Sequence, residues 1–130
     1  GAVVAGPSGT IIGRGRNAIE RLNDATAHAE ILAIGAASQH QQTWRLNDCT
    51  IYVTLEPCMM CLGALLASRI DRIVYATPDP RLGAVDSFPH REQIDCTYRT
   101  YPTVQRGPME QECSQLLKSF FQRLRKGGKV

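Results

Sequence analysis

The sequence lacks the features of membrane proteins and of small disulfide-stabilised secreted proteins. No apolar run approaches the roughly 20 residues that cross a bilayer, and no secretory signal peptide is visible. The five cysteines are an odd number at irregular spacing, unlike a disulfide framework. Internal repeats, linkers and low-complexity segments are also absent from the sequence. We therefore expect residues 1–130 to form one domain in a reducing, cytoplasmic setting.

The order of apolar segments predicts an α/β domain, in which helices flank a central sheet. Five strands are predicted, at residues 2–5, 10–13, 49–55, 70–76 and 99–106. The first two form a hairpin, and Pro102 restricts the last to an edge of the sheet. Three helices are predicted, over about residues 27–38, 57–68 and 109–125. Thr26 is the expected cap of the first helix, and residues 17–27 and 77–98 are expected to be loops.

Two cysteines stand three positions apart, directly behind a proline, in the segment TLEPCMMC at residues 54–61. Such a pair is typical of redox chemistry or of metal binding. Near the start of a helix, the spacing of Cys58 and Cys61 puts both side chains on one face. The helix N-terminus favours negative charge, so both thiols should ionise easily. A thioredoxin-like redox pair shares this local geometry, so the pair alone does not decide between the two chemistries.

A histidine and a glutamate at the start of another predicted helix favour a catalytic metal site. His28-Ala29-Glu30 and Pro57-Cys58-x-x-Cys61 together match the signature of the zinc-dependent deaminases. Three protein ligands leave one tetrahedral position open for water, whose pKa zinc lowers to about 7. A nearby carboxylate that does not bind the metal, such as Glu30, can then carry protons. Spacing alone does not bring His28 and Glu30 together, because positions i and i+2 of a regular helix point to different sides.

Longer segments around these motifs carry a family resemblance. TAHAEILAI from residue 26 and YVTLEPCMMCLGALLASRI from residue 52 closely resemble the bacterial tRNA-specific adenosine deaminases of the cytidine deaminase-like superfamily. The similarity extends from GAVV at the start to LLKSFFQRLR near the end. It implies the three-layer fold of that superfamily, with a mixed sheet of about five strands flanked by helices. Family members normally carry a helix before the first strand, and we expect that this natural N-terminal segment is missing from the sequence.

The resemblance also implies a function and a role for each site residue. His28, Cys58 and Cys61 would hold one zinc ion per chain, and Glu30 would be the proton shuttle. Asn17 would hydrogen-bond the flipped base, and Asp79 would lie near the ribose of the target nucleotide. The implied reaction is hydrolytic deamination of adenosine to inosine in the anticodon loop of a tRNA, at the wobble position. The family further implies a homodimer whose active sites lie near the interface.

Three alternatives remain open on the sequence. Residues 88–102, FPHREQIDCTYRTYP, share little with the Leu-Met-Asp and Asn-His pattern usual in the family, so a free purine base such as guanine is an alternative substrate. A structural-zinc or RNA-binding module without catalysis would not need Glu30. A thiol–disulfide oxidoreductase would leave His28 unexplained.

Positive charge is concentrated at the C-terminal end of the chain. The net charge is only +3, yet the last thirteen residues contain Lys118, Arg123, Arg125, Lys126 and Lys129. Such a cluster can contact a phosphate backbone. It is equally typical of a solvated helix face.

Overall fold

The computed structural model describes residues 1–87 and 101–127. Its strands are β1 (Ala2–Ala5), β2 (Ile11–Gly15), β3 (Thr50–Leu55), β4 (Arg72–Thr77) and β5 (Thr103–Arg106). Its helices are α1 (Ile19–Leu22), α2 (Ala29–Gln41), α3 (Met59–Ala67) and, closing the chain, α4 (Glu110–Arg125). Within these ranges, no helix is both long and apolar enough to cross a bilayer.

The five strands form one mixed sheet in the order β2-β1-β3-β4-β5. β1 is antiparallel to both β2 and β3, whereas β3, β4 and β5 run parallel to one another. Parallel neighbours need a long crossover, and α3 supplies it between β3 and β4. β5 lies at the sheet edge, directly after Pro102, as the sequence predicts. The predicted α/β class and five-stranded sheet are therefore confirmed.

Helices cover both faces of the sheet. Strand register puts Val4, Ile51 and Ile73 on the face that α2 and α3 cover, and all three are fully buried. Val74 and Ala76 lie on the opposite face, where they line a groove with Met109 and Cys113 beside α4. This alternation is what strands buried on two faces require, and it gives the three layers expected from the sequence.

Helix α2 packs unusually close to β2, because β2 has glycines where the two meet. A Cβ atom built on Gly15 would lie 2.0 Å from the carbonyl oxygen of Ala29, and one on Gly13 would lie 2.4 Å from that of Ala33. Only glycine leaves room for backbones at this distance. Since Ala29 is the first residue of α2, the contact at Gly15 fixes where that helix begins against the sheet.

Two local features differ from the sequence prediction. The residue preceding α2 at its N-cap is His28, and Thr26 instead donates its backbone N–H and its hydroxyl to the Asp24 carboxylate. Asp24 competes for the threonine and closes a tight turn before the helix. The predicted loop 17–27 contains the four-residue helix α1, which is too short to show periodicity in a sequence. The part of the predicted loop 77–98 beyond residue 87 lies outside the described residues.

The close approach at Gly15 predicts opposite effects for two glycine-to-alanine variants. Gly15→Ala should lower the free energy of unfolding by about 1–3 kcal/mol, because the new methyl group collides with the α2 backbone. Gly35→Ala, in the exposed middle of α2 where the added Cβ meets no atom from outside its own stretch of helix within 4 Å, should raise it by about 0.5–1 kcal/mol. Urea denaturation of both variants measures the two values. Equal effects would contradict the close packing.

Candidate active site

The first two candidate ligands occupy equivalent positions, at the N-caps of two helices. His28 precedes α2 and Cys58 precedes α3, and both have extended backbone dihedrals. An N-cap side chain usually bonds to the exposed N–H groups of its own helix, but neither of these does so. Both side chains therefore extend from the helix end and can contact each other. Cys61 follows as the third residue of α3.

The three side chains converge. His28 Nδ1 lies 3.7 Å from Cys58 Sγ and 3.5 Å from Cys61 Sγ. One ligand atom from each residue can be chosen so that all lie within 4.8 Å of one another, and the group could hold a metal ion. Over the described ranges, no other three histidine, cysteine or acidic side chains come this close. Cys61 is fully buried and the other two are half-buried.

Glu30 lies beside the three candidate ligands, next to Cys61. It is the second residue of α2, and only 7% of it is exposed. Because His28 is an extended N-cap residue outside the regular helix, the periodicity that separates positions i and i+2 does not apply to this pair. Burial, followed by the neighbouring Glu30 carboxylate and Cys58, raises the pKa of the Cys61 thiol. Acidic groups gathered in a buried space favour a bound cation.

The two predicted substrate-binding residues lie in loops next to the segments that carry the candidate ligands. Asn17 accepts a hydrogen bond from the Ile19 N–H at 3.3 Å, and the next residue, Ala18, donates to the carbonyl of Ala27 beside His28. Asp79 follows β4, and its Oδ1 accepts hydrogen bonds from two backbone N–H groups of residues 81 and 82. These bonds shape the two loops, and contact with substrate stays a prediction for both residues.

Glu56 is a site residue that the motifs did not identify. It directly precedes Pro57 and Cys58, and only 2% of it is exposed. Burial alone would raise the pKa of its carboxyl, but hydrogen bonds from Ser87, Asp86 and Asp79 outweigh burial and hold the pKa below its usual value. The available sequence signal was its position alone, a charged residue between an apolar strand and a proline.

Tyr75 attaches the loop that contains Asp86 to the sheet. Its side chain is fully buried in β4, and its hydroxyl donates a hydrogen bond to the Asp86 carboxylate. The Arg106 guanidinium lies 5.4 Å from the ring centre and pairs with Glu110 at 2.8 Å. Burial, followed by the Asp86 carboxylate, raises the pKa of Tyr75 to about 12.

The mixed sheet, the converging ligands and the adjacent carboxylate are the arrangement of the cytidine deaminase-like fold. Residues 1–125 match the MafB19-like deaminase family, and the chain belongs to that family. The tRNA-specific adenosine deaminase of Haemophilus influenzae is 42% identical over 132 residues, covering 100% of this chain and 75% of that protein. The enzyme of the same name from Streptococcus pyogenes serotype M1 is 39% identical, covering 94% of this chain and 71% of that protein.

Other similar proteins are much longer than the chain. It spans 10% of the chloroplastic tRNA(adenine(34)) deaminase of Arabidopsis thaliana, at 42% identity. It spans 23% of a tRNA(Ile)-lysidine synthase from Deinococcus deserti, at 43% identity.

Solved structures of deaminases also resemble the chain. One, from a study of A-to-I editing by tRNA:A34 deaminases at the wobble position of transfer RNA, has a TM-score of 0.82 at 40% identity, covering 89% of this chain and 83% of that one. A guanine deaminase from Bacillus subtilis has a TM-score of 0.58 at 29% identity, covering 99% and 80%.

The buried Tyr75 predicts a specific alkaline response. A raised folded-state pKa means that its stabilisation is complete below about pH 10, the unfolded value, and is lost as pH rises through about 12. The advantage of the wild type over Tyr75→Phe in unfolding free energy should therefore shrink as pH rises above about 10. Urea denaturation of both proteins at several pH values measures it. An advantage that stays constant across this range would count against a buried neutral phenol.

Proposed function

We propose that this chain is a zinc-dependent hydrolase that deaminates adenosine to inosine at the wobble position of a tRNA. The observation that carries the proposal is the convergence of His28, Cys58 and Cys61 beside the buried Glu30. Membership of a deaminase family gives this geometry its reaction type.

The donor set fits zinc. One imidazole nitrogen and two thiolate sulfurs are ligands that zinc prefers, and three of them leave a catalytic position open. With Zn–S and Zn–N bonds of about 2.3 and 2.0–2.1 Å at tetrahedral angles, sulfur and nitrogen lie about 3.6 Å apart. The two sulfur–nitrogen distances here are 3.7 and 3.5 Å. His28, Cys58 and Cys61 would therefore hold zinc with little rearrangement.

The chain's own residues would do the following work. When bound, zinc supplies Lewis acidity at the open position. Glu30 takes a proton from the water that attacks C6 of adenine and gives it to N1. It then takes the second proton, from the hydroxyl now on C6, and gives it to the departing amine. One water is consumed and one ammonia leaves, so the exocyclic C–N bond is replaced by C=O. Burial of Glu30 keeps bulk water from competing with these transfers.

Several observations favour a tRNA over a free base. Relatives named tRNA-specific adenosine deaminases align over 94–100% of the chain, and the structure from the tRNA:A34 deaminase study is the closer of the two compared. An anticodon loop presents unstacked bases, so extruding one costs little. Asn17 and Asp79 would contact the extruded nucleotide from the flanking loops. Arg123, Arg125 and Lys126, exposed at the end of α4, could lie on phosphates.

A second candidate function is deamination of a free purine base such as guanine. The likeness to guanine deaminase structures supports it, together with the departure of residues 88–102 from the tRNA-deaminase pattern. With either substrate, the roles proposed for Glu30 and the three ligands are unchanged.

We also propose that the enzyme is a cytoplasmic homodimer, as the family resemblance implies.

A substrate comparison tests the proposed function. Zinc-loaded protein is incubated with an anticodon stem-loop carrying wobble adenosine, and separately with guanine, and products are measured by mass spectrometry. We expect a higher kcat/KM for the stem-loop. Glu30→Ala should keep the metal and lose about 10²–10⁴-fold in turnover, the usual contribution of general acid–base catalysis.

The matched control is Glu112→Ala, which removes an exposed glutamate from α4 and should leave turnover unchanged. Preference for guanine would replace the tRNA function with the small-base one. Near-normal turnover by metal-loaded Glu30→Ala would remove Glu30 from the mechanism.

A further inference from the structure

The buried Glu56 carboxylate collects hydrogen bonds from one loop. Its Oε1 accepts from the backbone N–H groups of Val85, Asp86 and Ser87, at 3.2, 2.8 and 2.9 Å. Its Oε2 accepts from the Asp79 N–H at 3.0 Å and from the Ser87 hydroxyl at 2.7 Å. Five donors thus hold residues 79–87, here called the 79–87 loop, around one side chain.

Backbone contacts attach the same loop to the cysteine segment. The Ala84 N–H donates to the Pro57 carbonyl at 2.9 Å, and Cys58 forms an isolated antiparallel bridge with Gly83. A Cβ atom on Gly83 would lie 2.4 Å from Glu56 Oε2, so the loop passes as close to the carboxylate as glycine allows. Cys58, a candidate ligand, therefore shares a rigid unit with the loop.

This unit requires a carboxylate and not merely a polar side chain. Each oxygen of Glu56 accepts at least two hydrogen bonds, and every partner is a donor. A glutamine has nearly the same shape, but whichever way its amide is turned, the NH₂ group faces donors. Several N–H groups would then be buried without an acceptor, which typically costs about 1–3 kcal/mol for each group.

We propose that Glu56 is a positioning residue that couples metal binding at Cys58 to the order of the 79–87 loop. The loop carries Asp79, together with Arg81 and Leu82, which are exposed at its tip. A metal that fixes Cys58 then stabilises the loop, and an ordered loop strengthens metal binding, because such coupling is reciprocal. The inference rests on the metal site of the proposed function and not on which purine substrate is used.

The experiment compares wild type, Glu56→Gln and a matched control, Glu112→Gln on the exposed side of α4. Hydrogen exchange of the 79–87 loop is followed with zinc bound and after chelation, and zinc affinity is measured by chelator competition. The absorption spectrum of Co²⁺-substituted protein reports ligand geometry. In the wild type, removing the metal should speed exchange of the loop. Glu56→Gln should speed it even with metal bound and weaken zinc affinity by about 10–100-fold, as loss of support behind a ligand does elsewhere.

Exchange in β1 and β3 is the internal control for global stability. It should be unchanged in Glu112→Gln and faster in Glu56→Gln, so the coupling is judged by how much more the 79–87 loop accelerates than these two strands do. If chelation leaves exchange of the wild-type loop unchanged, or if Glu56→Gln frees the loop with normal zinc affinity and an unaltered Co²⁺ spectrum, the coupling is wrong. Should Glu56→Gln fail to fold, Ser87→Ala removes only the hydroxyl donor and should shift both measurements in the same direction by less. Absence of metal from the wild type would instead contradict the proposed function itself.

Discussion

Two helices begin at the same end of the sheet, and the side chains at their N-caps, His28 and Cys58, come within 3.7 Å of each other. Everything else at the site depends on this convergence. The start of α2 is fixed by backbone contact at Gly15, and the start of α3 by its connection from the end of β3. Cys61 and Glu30 then follow from their places in the first turns of these helices. Both helix N-termini direct partial positive charge toward the site. The sequence predicted that both thiols ionise easily, but at Cys61 burial, followed by Glu30 and Cys58, outweighs the helix dipole and raises the pKa of the thiol.

The second constraint is a buried negative charge. Glu56 has to be satisfied once β3 ends beneath the loop, and the backbone N–H groups of residues 79–87 supply the hydrogen bonds. These hydrogen bonds offset the cost of burying the carboxylate, and they hold the 79–87 loop in one conformation beside the candidate metal ligands. Tyr75, in β4, attaches the same loop to the sheet because its hydroxyl donates a hydrogen bond to the Asp86 carboxylate. The candidate ligands are thus positioned by strands of the sheet and by a loop whose backbone N–H groups are hydrogen-bonded.

The sequence predicted the sheet and the major helices well, because their patterns are local. The apolar runs that became β1, β3 and β4, and the helical periodicity of α4, can each be read within a short window. The short helix α1 and the cap at His28 could not be read in this way. A four-residue helix has no period, and Thr26 is preferred as a cap until Asp24 is known to bind it.

The site was predicted in part, for the same reason. The signature residues His28, Glu30, Cys58 and Cys61 stand in short motifs, and the structure places them together, while zinc binding and proton transfer stay predictions. Glu56 was missed because its partners lie 23–31 positions away and donate mostly through backbone, which leaves no motif. Asn17 and Asp79 came from resemblance alone, and their hydrogen bonds to nearby backbone are those of ordinary loop residues.

Elemental analysis of protein purified without added metal shows whether these helix N-termini form a metal site. We expect about one zinc per chain, the stoichiometry of a site with three converging ligands and one open position. We also expect the zinc to be lost in a His28→Ala variant that remains folded. Fully active protein that contains no zinc, or that contains a Cys58–Cys61 disulfide, would contradict it.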